Sequence, residues 1–201
     1  MPTPIQILQG LENIANQMSG LAIAWHIILI GLLIALIAGW RPSIRFIRTA
    51  LVMPLLSVSV MAWLFGNPFN GSTFLIFAIL MIIFGFRSTD GNISFSFGWD
   101  YIAGLIIVIF GLVYPHFLHA PSWIPFLYKS PVCLIPCPTL SFVIGLALLI
   151  DDLKSRGWYI TIIIAGLIYG IIGAFRLGVT IDLVLIAGAV LLIFKVITRK
   201  N

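Results

Sequence analysis

Apolar residues dominate the chain in blocks that are broken only by short stretches carrying charge, proline or glycine. Seven such segments are read: Leu21 to Gly39, Phe46 to Phe65, Gly71 to Phe86, Trp99 to Leu118, Pro138 to Ile150, Trp158 to Phe175 and Thr180 to Ile197. The fifth is short. A helix from Pro138 to Ile150 would rise roughly 20 Å against a hydrocarbon core of about 30 Å, so it cannot span alone. Either it starts earlier and kinks at Pro136 and Pro138, or it begins inside the membrane and the preceding proline-rich loop dips in to meet it. Non-helical backbone at that depth must be covered by protein or line a water-filled cavity, because lipid cannot satisfy its amides. A pocket is therefore expected at this point. Ahead of the first segment, Ile7, Leu8, Leu11, Ala15 and Met18 recur at helical spacing opposite Gln6, Gln9, Asn13 and Asn16. That pattern predicts an amphipathic helix within residues 1–19, lying on the membrane surface or packed over the mouth of the bundle. The expected fold is all-α: one transmembrane bundle over residues 20–198, with about seven membrane segments, a short or broken fifth helix and a proline-rich outer loop.

Composition supports this reading and adds an orientation. With 61% hydrophobic and 8% charged residues and a mean hydropathy of +1.18, the chain has the make-up of an integral membrane protein surrounded by lipid. The net charge of +5 comes from basic residues at helix ends that form no face, which excludes nucleic acid as an expected partner. Nine basic residues (Arg41, Arg45, Arg48, Arg87, Lys154, Arg156, Lys195, Arg199, Lys200) fall on one side of the alternating segments and two (Lys129, Arg176) on the other. The positive-inside rule then puts the N-terminus outside and the C-terminus in the cytoplasm; a six-crossing chain would break the alternation. Residues 1–19 hold no Lys or Arg, so the basic region of a cleavable signal peptide is missing and the N-terminus is expected to be kept. All six tryptophans lie at segment ends or in the long loop, as interfacial anchors do.

Candidate chemistry gathers between Tyr114 and Pro138, where six of the eleven prolines, both cysteines and two of the three histidines fall. With Pro138 at the first helical position, Cys137 becomes the N-cap residue, where the helix dipole favours a thiolate if water reaches it. His26, His116, His119, Cys133 and Cys137 all fall on the extracytoplasmic half. Imidazole and thiolate would suit a soft metal such as Cu, Zn or Hg if three of them converge. A Cys133–Cys137 disulfide and plain packing are the competing readings, and a haem between His26 and His116 has no better support. Arg176 and Asp182 bracket the last outer hairpin and are expected to form a structural ion pair. No acidic residue is expected at mid-membrane, which argues against a proton-coupled pump. Gly166-x-x-x-Gly170 with Gly173 forms a small-residue stripe for close helix packing or for a homodimer or larger complex, and Gly104, Gly111 and Gly145 could serve the same end. Hydrolase, zinc-protease and nucleotide-binding motifs are missing, so an enzyme is not favoured.

Tyr114-Pro115, Pro136-Cys137-Pro138-Thr139 leading into an apolar helix, Leu177-Gly178-Val179 and Asp182-Leu183 together resemble an uncharacterised family of bacterial polytopic membrane proteins with a Pro-Cys-Pro-Thr signature. The resemblance implies a multi-pass protein of the bacterial inner membrane and points to Cys137; it implies no activity. The leading expectation is a small transporter or channel-like protein for a soft metal ion or small anion, with its pocket at Cys137. The alternatives are a non-catalytic subunit of a larger membrane complex and, less favoured, a membrane thiol oxidoreductase using Cys133 and Cys137.

Overall fold

The structure is a computed structural model and describes residues 3–86, 91–95, 97–151 and 155–198. Among these the chain is all-helical, with no strand and one isolated bridge between Ser43 and Asn92. Helix α1 spans Pro4–Gln17 and is started by a capping box, in which Thr3 Oγ1 accepts from the Gln6 amide and Gln6 Oε1 accepts from the Thr3 amide. Its apolar positions Leu11, Ile14 and Ala15 are buried against the rest of the chain. Helix α2 spans Ser19–Ile37. Helix α3, Ile44–Ala50, is capped by Ser43 and continues past Leu51 as α4, Val52–Leu64. Then come α5 (Pro68–Phe86), α6 (Trp99–Val113), the single turn α7 (Phe126–Lys129), α8 (Pro136–Leu149) and α9 (Arg156–Ile171). A π-helical turn, Ile172–Arg176, extends α9, and a 3-10 turn, Thr180–Asp182, opens α10, Leu183–Thr198.

Among the described residues, five helical stretches are long and apolar enough to cross a membrane: 19–37, 44–64, 68–86, 156–176 and 180–198. The other two expected segments are shorter helices. The predicted fourth segment, Trp99 to Leu118, stops at Val113 because Pro115 has no amide to donate and disfavours helix at Tyr114. At 15 residues α6 is about 22 Å long, and α8 at 14 residues is about 21 Å.

Helix α8 is the centre of the molecule. Every residue from Pro136 to Leu149 is buried, which fits a helix apolar on all sides. It packs on α6, α9, α10 and α4. The antiparallel α6–α8 contact is backbone to backbone. A methyl at Gly104 would come within 2.7 Å of the Gly145 oxygen, and one at Gly111 within 2.7 Å of the Phe142 nitrogen. These glycines do what their sequence positions suggested.

The Gly166–Gly170–Gly173 stripe is also filled from within the chain. Gly166 faces Ile144 and Ala189, Gly170 faces Ile186 and Gly173 faces Asp182. It is not a free face for a second copy, because α8 and α10 already occupy it. Two basic residues counted as loop charges, Arg48 and Lys195, are instead buried, and Trp158, expected as an interfacial anchor, is fully buried. Arg87, Lys154, Arg199 and Lys200 lie outside the described residues.

Candidate functional site

The Pro-Cys-Pro-Thr segment solves the problem of starting a helix away from water. A helix leaves its first amides without acceptors, and each costs free energy where no water reaches it. Here Ile135 is the N-cap and its amide donates to the Pro131 carbonyl at 3.2 Å. Pro136 and Pro138 have no amide at all. Thr139 Oγ1 donates to the Ile135 carbonyl at 2.6 Å and accepts from the Cys133 amide at 2.8 Å, tying the loop to the first turn. The Cys137 amide is left as the one donor of that turn. Cys137 is thus inside the first turn rather than at the N-cap, since Pro136 and not Pro138 takes the first helical position.

Around the Cys137 side chain lies a buried polar cluster. The Tyr114 hydroxyl donates to Asp182 Oδ1 at 2.5 Å, and the Cys137 thiol lies close to this pair. Tyr114 and Asp182 are fully buried, and Gly173 makes room for the carboxylate: a side chain there would collide with it. This corrects one expectation: Asp182 pairs with Tyr114, and no ion pair joins it to Arg176 among the described residues. Asp182 is a carboxylate enclosed by the bundle, as is Asp100.

Cys137 also forms part of the wall of a cavity of about 470 Å³ at the same end of the bundle. Helix α1 supplies Gln6, Ile7, Gly10 and Leu11, the α4–α5 turn supplies residues 65–70, α8 supplies Pro136 and Cys137, and the end of α9 with its π turn supplies Tyr169, Ile172, Gly173 and Arg176, followed by Leu177. The wall is mostly apolar. Tyr169 donates to Asn70 Oδ1 at 3.0 Å, which fixes the Asn70 amide at the cavity edge.

The other candidates do not converge on Cys137. His26 is buried with Nδ1 2.9 Å from the Ala22 carbonyl of its own helix and Nε2 2.9 Å from the Leu112 carbonyl of α6, so its ring lies between backbone carbonyls at the α2–α6 contact. His116 and His119 are in the loop after α6, not on a helix face. Burial lowers the His116 pKa, which keeps that ring neutral. The exposed His119 ring lies 3.6 Å from the Glu12 carboxylate, and its amide donates to Asn16 Oδ1 at 2.9 Å, so this loop is docked on α1. Cys133 is buried in a left-handed conformation with φ 64°, and both thiols are free, so the disulfide expectation is not met. Among the described residues no three His, Cys, Asp or Glu side chains are grouped to hold a metal ion.

Sequence reasoning missed Tyr114, Asn70, Tyr169 and Lys195. At the far end of α8 the Lys195 ammonium donates to the carbonyls of Ala147 (3.2 Å), Leu148 and Ile150 (2.6 Å) and is paired with Asp100 at 3.2 Å. A signal for it existed: Lys195 interrupts the apolar run from Thr180 to Ile197, and a cation inside such a run usually has a partner.

No family model, no curated protein and no solved structure matches the chain. Its helices are compatible with an integral membrane protein in contact with lipid.

Proposed function

We propose that the protein is a small multi-pass transporter or channel-like protein of the bacterial inner membrane, with its substrate pocket at the start of α8. The observation that supports this best is the cavity whose wall includes Cys137. In the full proposal α6 and α8 complete seven crossings, the N-terminus and the cavity are outside, the C-terminus is cytoplasmic, and α1 rests at the outer membrane surface. Membership of the Pro-Cys-Pro-Thr family belongs to the same proposal.

Between the two substrate classes, the wall favours a small anion over a soft metal. Among the described residues Cys137 is its single soft ligand and Arg176 its single charged group, a combination that repels a metal cation. The test is labelling of Cys137 in oriented vesicles by a membrane-impermeant maleimide, in a Cys133→Ser background. The expected result is labelling from the outside face, slowed by substrate. No labelling from either face would defeat the pocket reading.

A further inference from the structure

This inference rests on the pocket reading and names its substrate class. An inorganic anion in this cavity would meet one cation and leave most of the wall facing water. The wall is better matched by a ligand that is itself mostly apolar, since removing apolar surface from water is the favourable term. Ile7, Leu11, Phe65, Phe69, Ile172 and Leu177 supply that surface.

The charge on the wall is equally selective. Arg176 is exposed, lines the cavity, and has no hydrogen-bond or ion-pair partner among the described residues. It sits on the π turn that ends α9, where the Leu177 amide reaches back five residues to the Ile172 carbonyl at 2.9 Å. Such turns insert an extra residue into a helix, re-aim the side chains that follow, and recur at functional sites. Among the described residues no acidic side chain lines the cavity, because Asp182 is enclosed behind Gly173 and Cys137. A guanidinium binds a carboxylate through two parallel hydrogen bonds and balances a single negative charge. A dianionic phosphate would keep one charge uncompensated against an apolar wall, which is unfavourable.

We infer that the cavity takes a single-chain organic carboxylate, its apolar body along the wall between α1 and the end of α9 and its carboxylate on Arg176.

The test uses the full chain in phosphatidylcholine nanodiscs, with radiolabelled octanoate as the probe and empty nanodiscs subtracted. Saturable octanoate binding is expected, with octanol and octylammonium failing to compete at equal concentration. Arg176→Gln should weaken binding about tenfold or more, as loss of a charge-assisted pair does, while Arg176→Lys should retain part of it. Gly10→Leu provides a second variant that leaves Arg176 in place. A Cβ at Gly10 meets nothing within 4 Å, so the longer side chain should fill the cavity and abolish binding without disturbing the fold. Equal competition by octanol, or unchanged binding in Arg176→Gln or in Gly10→Leu, would overturn the inference. If Cys137 is labelled by maleimide but octanoate neither binds nor slows labelling, the carboxylate fails and the pocket survives. If Cys137 is never labelled and octanoate does not bind, both fail.

Discussion

Asp100 and Lys195 form a buried ion pair, 3.2 Å apart, at the end of α8 opposite to Cys137. The same ammonium caps carbonyls of the last turn of α8. The two ends of this central helix are therefore closed by different means. At the start, prolines remove the donors that would go unmatched; at the end, a lysine from α10 satisfies the acceptors and Asp100 balances its charge. Lys195→Met should strongly destabilise the bundle, because it takes the cation from both Asp100 and the helix terminus. Removing one partner of a buried pair costs about 3–5 kcal/mol. Adding Asp100→Asn should recover part of the loss. Thermal unfolding of the detergent-solubilised protein, followed by circular dichroism, measures both.

The bond from Tyr114 to Asp182 links the end of α6 to the start of α10 across Cys137. Tyr114→Phe keeps the ring and withdraws a donor from a buried carboxylate, a loss of about 1–3 kcal/mol or somewhat more for a charged acceptor. Asp182→Asn alone should cost less, and the double variant should cost less than the sum. A coupling of about 0.5–3 kcal/mol in a double-mutant cycle is expected. Strict additivity would show that the two groups do not act together.

Much of the fold was legible in the sequence because lipid imposes a simple rule: long apolar runs become helices. The positions of α2, the α3–α4 stretch, α5, α9 and α10 follow from that rule, and α1 follows from its alternating faces. The short fifth helix was legible too, from the distance between Pro138 and Asp151. Its burial on every side was not, because an apolar helix reads the same whether lipid or protein surrounds it. The site was half legible. Proline density pointed to Cys137, but the hydrogen-bonded pair beside that thiol comes from residues 114 and 182, far away along the chain. Asp182 was paired with Arg176 on proximity in sequence alone, whereas the π turn leaves Arg176 on the cavity wall and Gly173 admits the carboxylate to the interior.

Thr139 ties the loop to α8 through two hydrogen bonds made by one hydroxyl. Thr139→Val is nearly isosteric and removes both, leaving the Cys133 amide buried without its acceptor. A loss of about 1–3 kcal/mol is expected, with Thr139→Ser close to wild type because it keeps the oxygen. Unfolding midpoints of the two variants decide between a hydrogen-bonding and a space-filling role.

Close packing of α6 on α8 depends on the absence of side chains at the crossing. A methyl at Gly145 would lie 2.6 Å from the Val108 nitrogen and 2.8 Å from the Gly104 oxygen, both backbone atoms that move only if the helices separate. Gly145→Ala should therefore destabilise by about 1–3 kcal/mol. Gly20→Ala, where nothing lies within 4 Å, should be neutral or stabilising by up to about 1 kcal/mol, since alanine is the better helix former. Equal effects at the two positions would mean that the α6–α8 contact is looser than described.

Burial pushes the Cys133 thiol well above the ordinary thiol range, and the pH dependence of stability follows from that direction. An unfolded cysteine loses its proton near pH 8.5, roughly, whereas the folded protein keeps it. Below that pH both states hold the proton and Cys133 contributes no slope. Above it the folded state binds more protons than the unfolded state, so stability must fall as pH rises, by up to about 1.4 kcal/mol per pH unit. Cys133→Ala removes this contribution. Its unfolding midpoint should therefore decline less steeply than that of wild type between about pH 8.5 and pH 10, with the two slopes alike near pH 7. Parallel curves over the whole range would mean that the thiol ionises as readily in the folded protein as in the unfolded chain, and that the loop around Cys133 admits water.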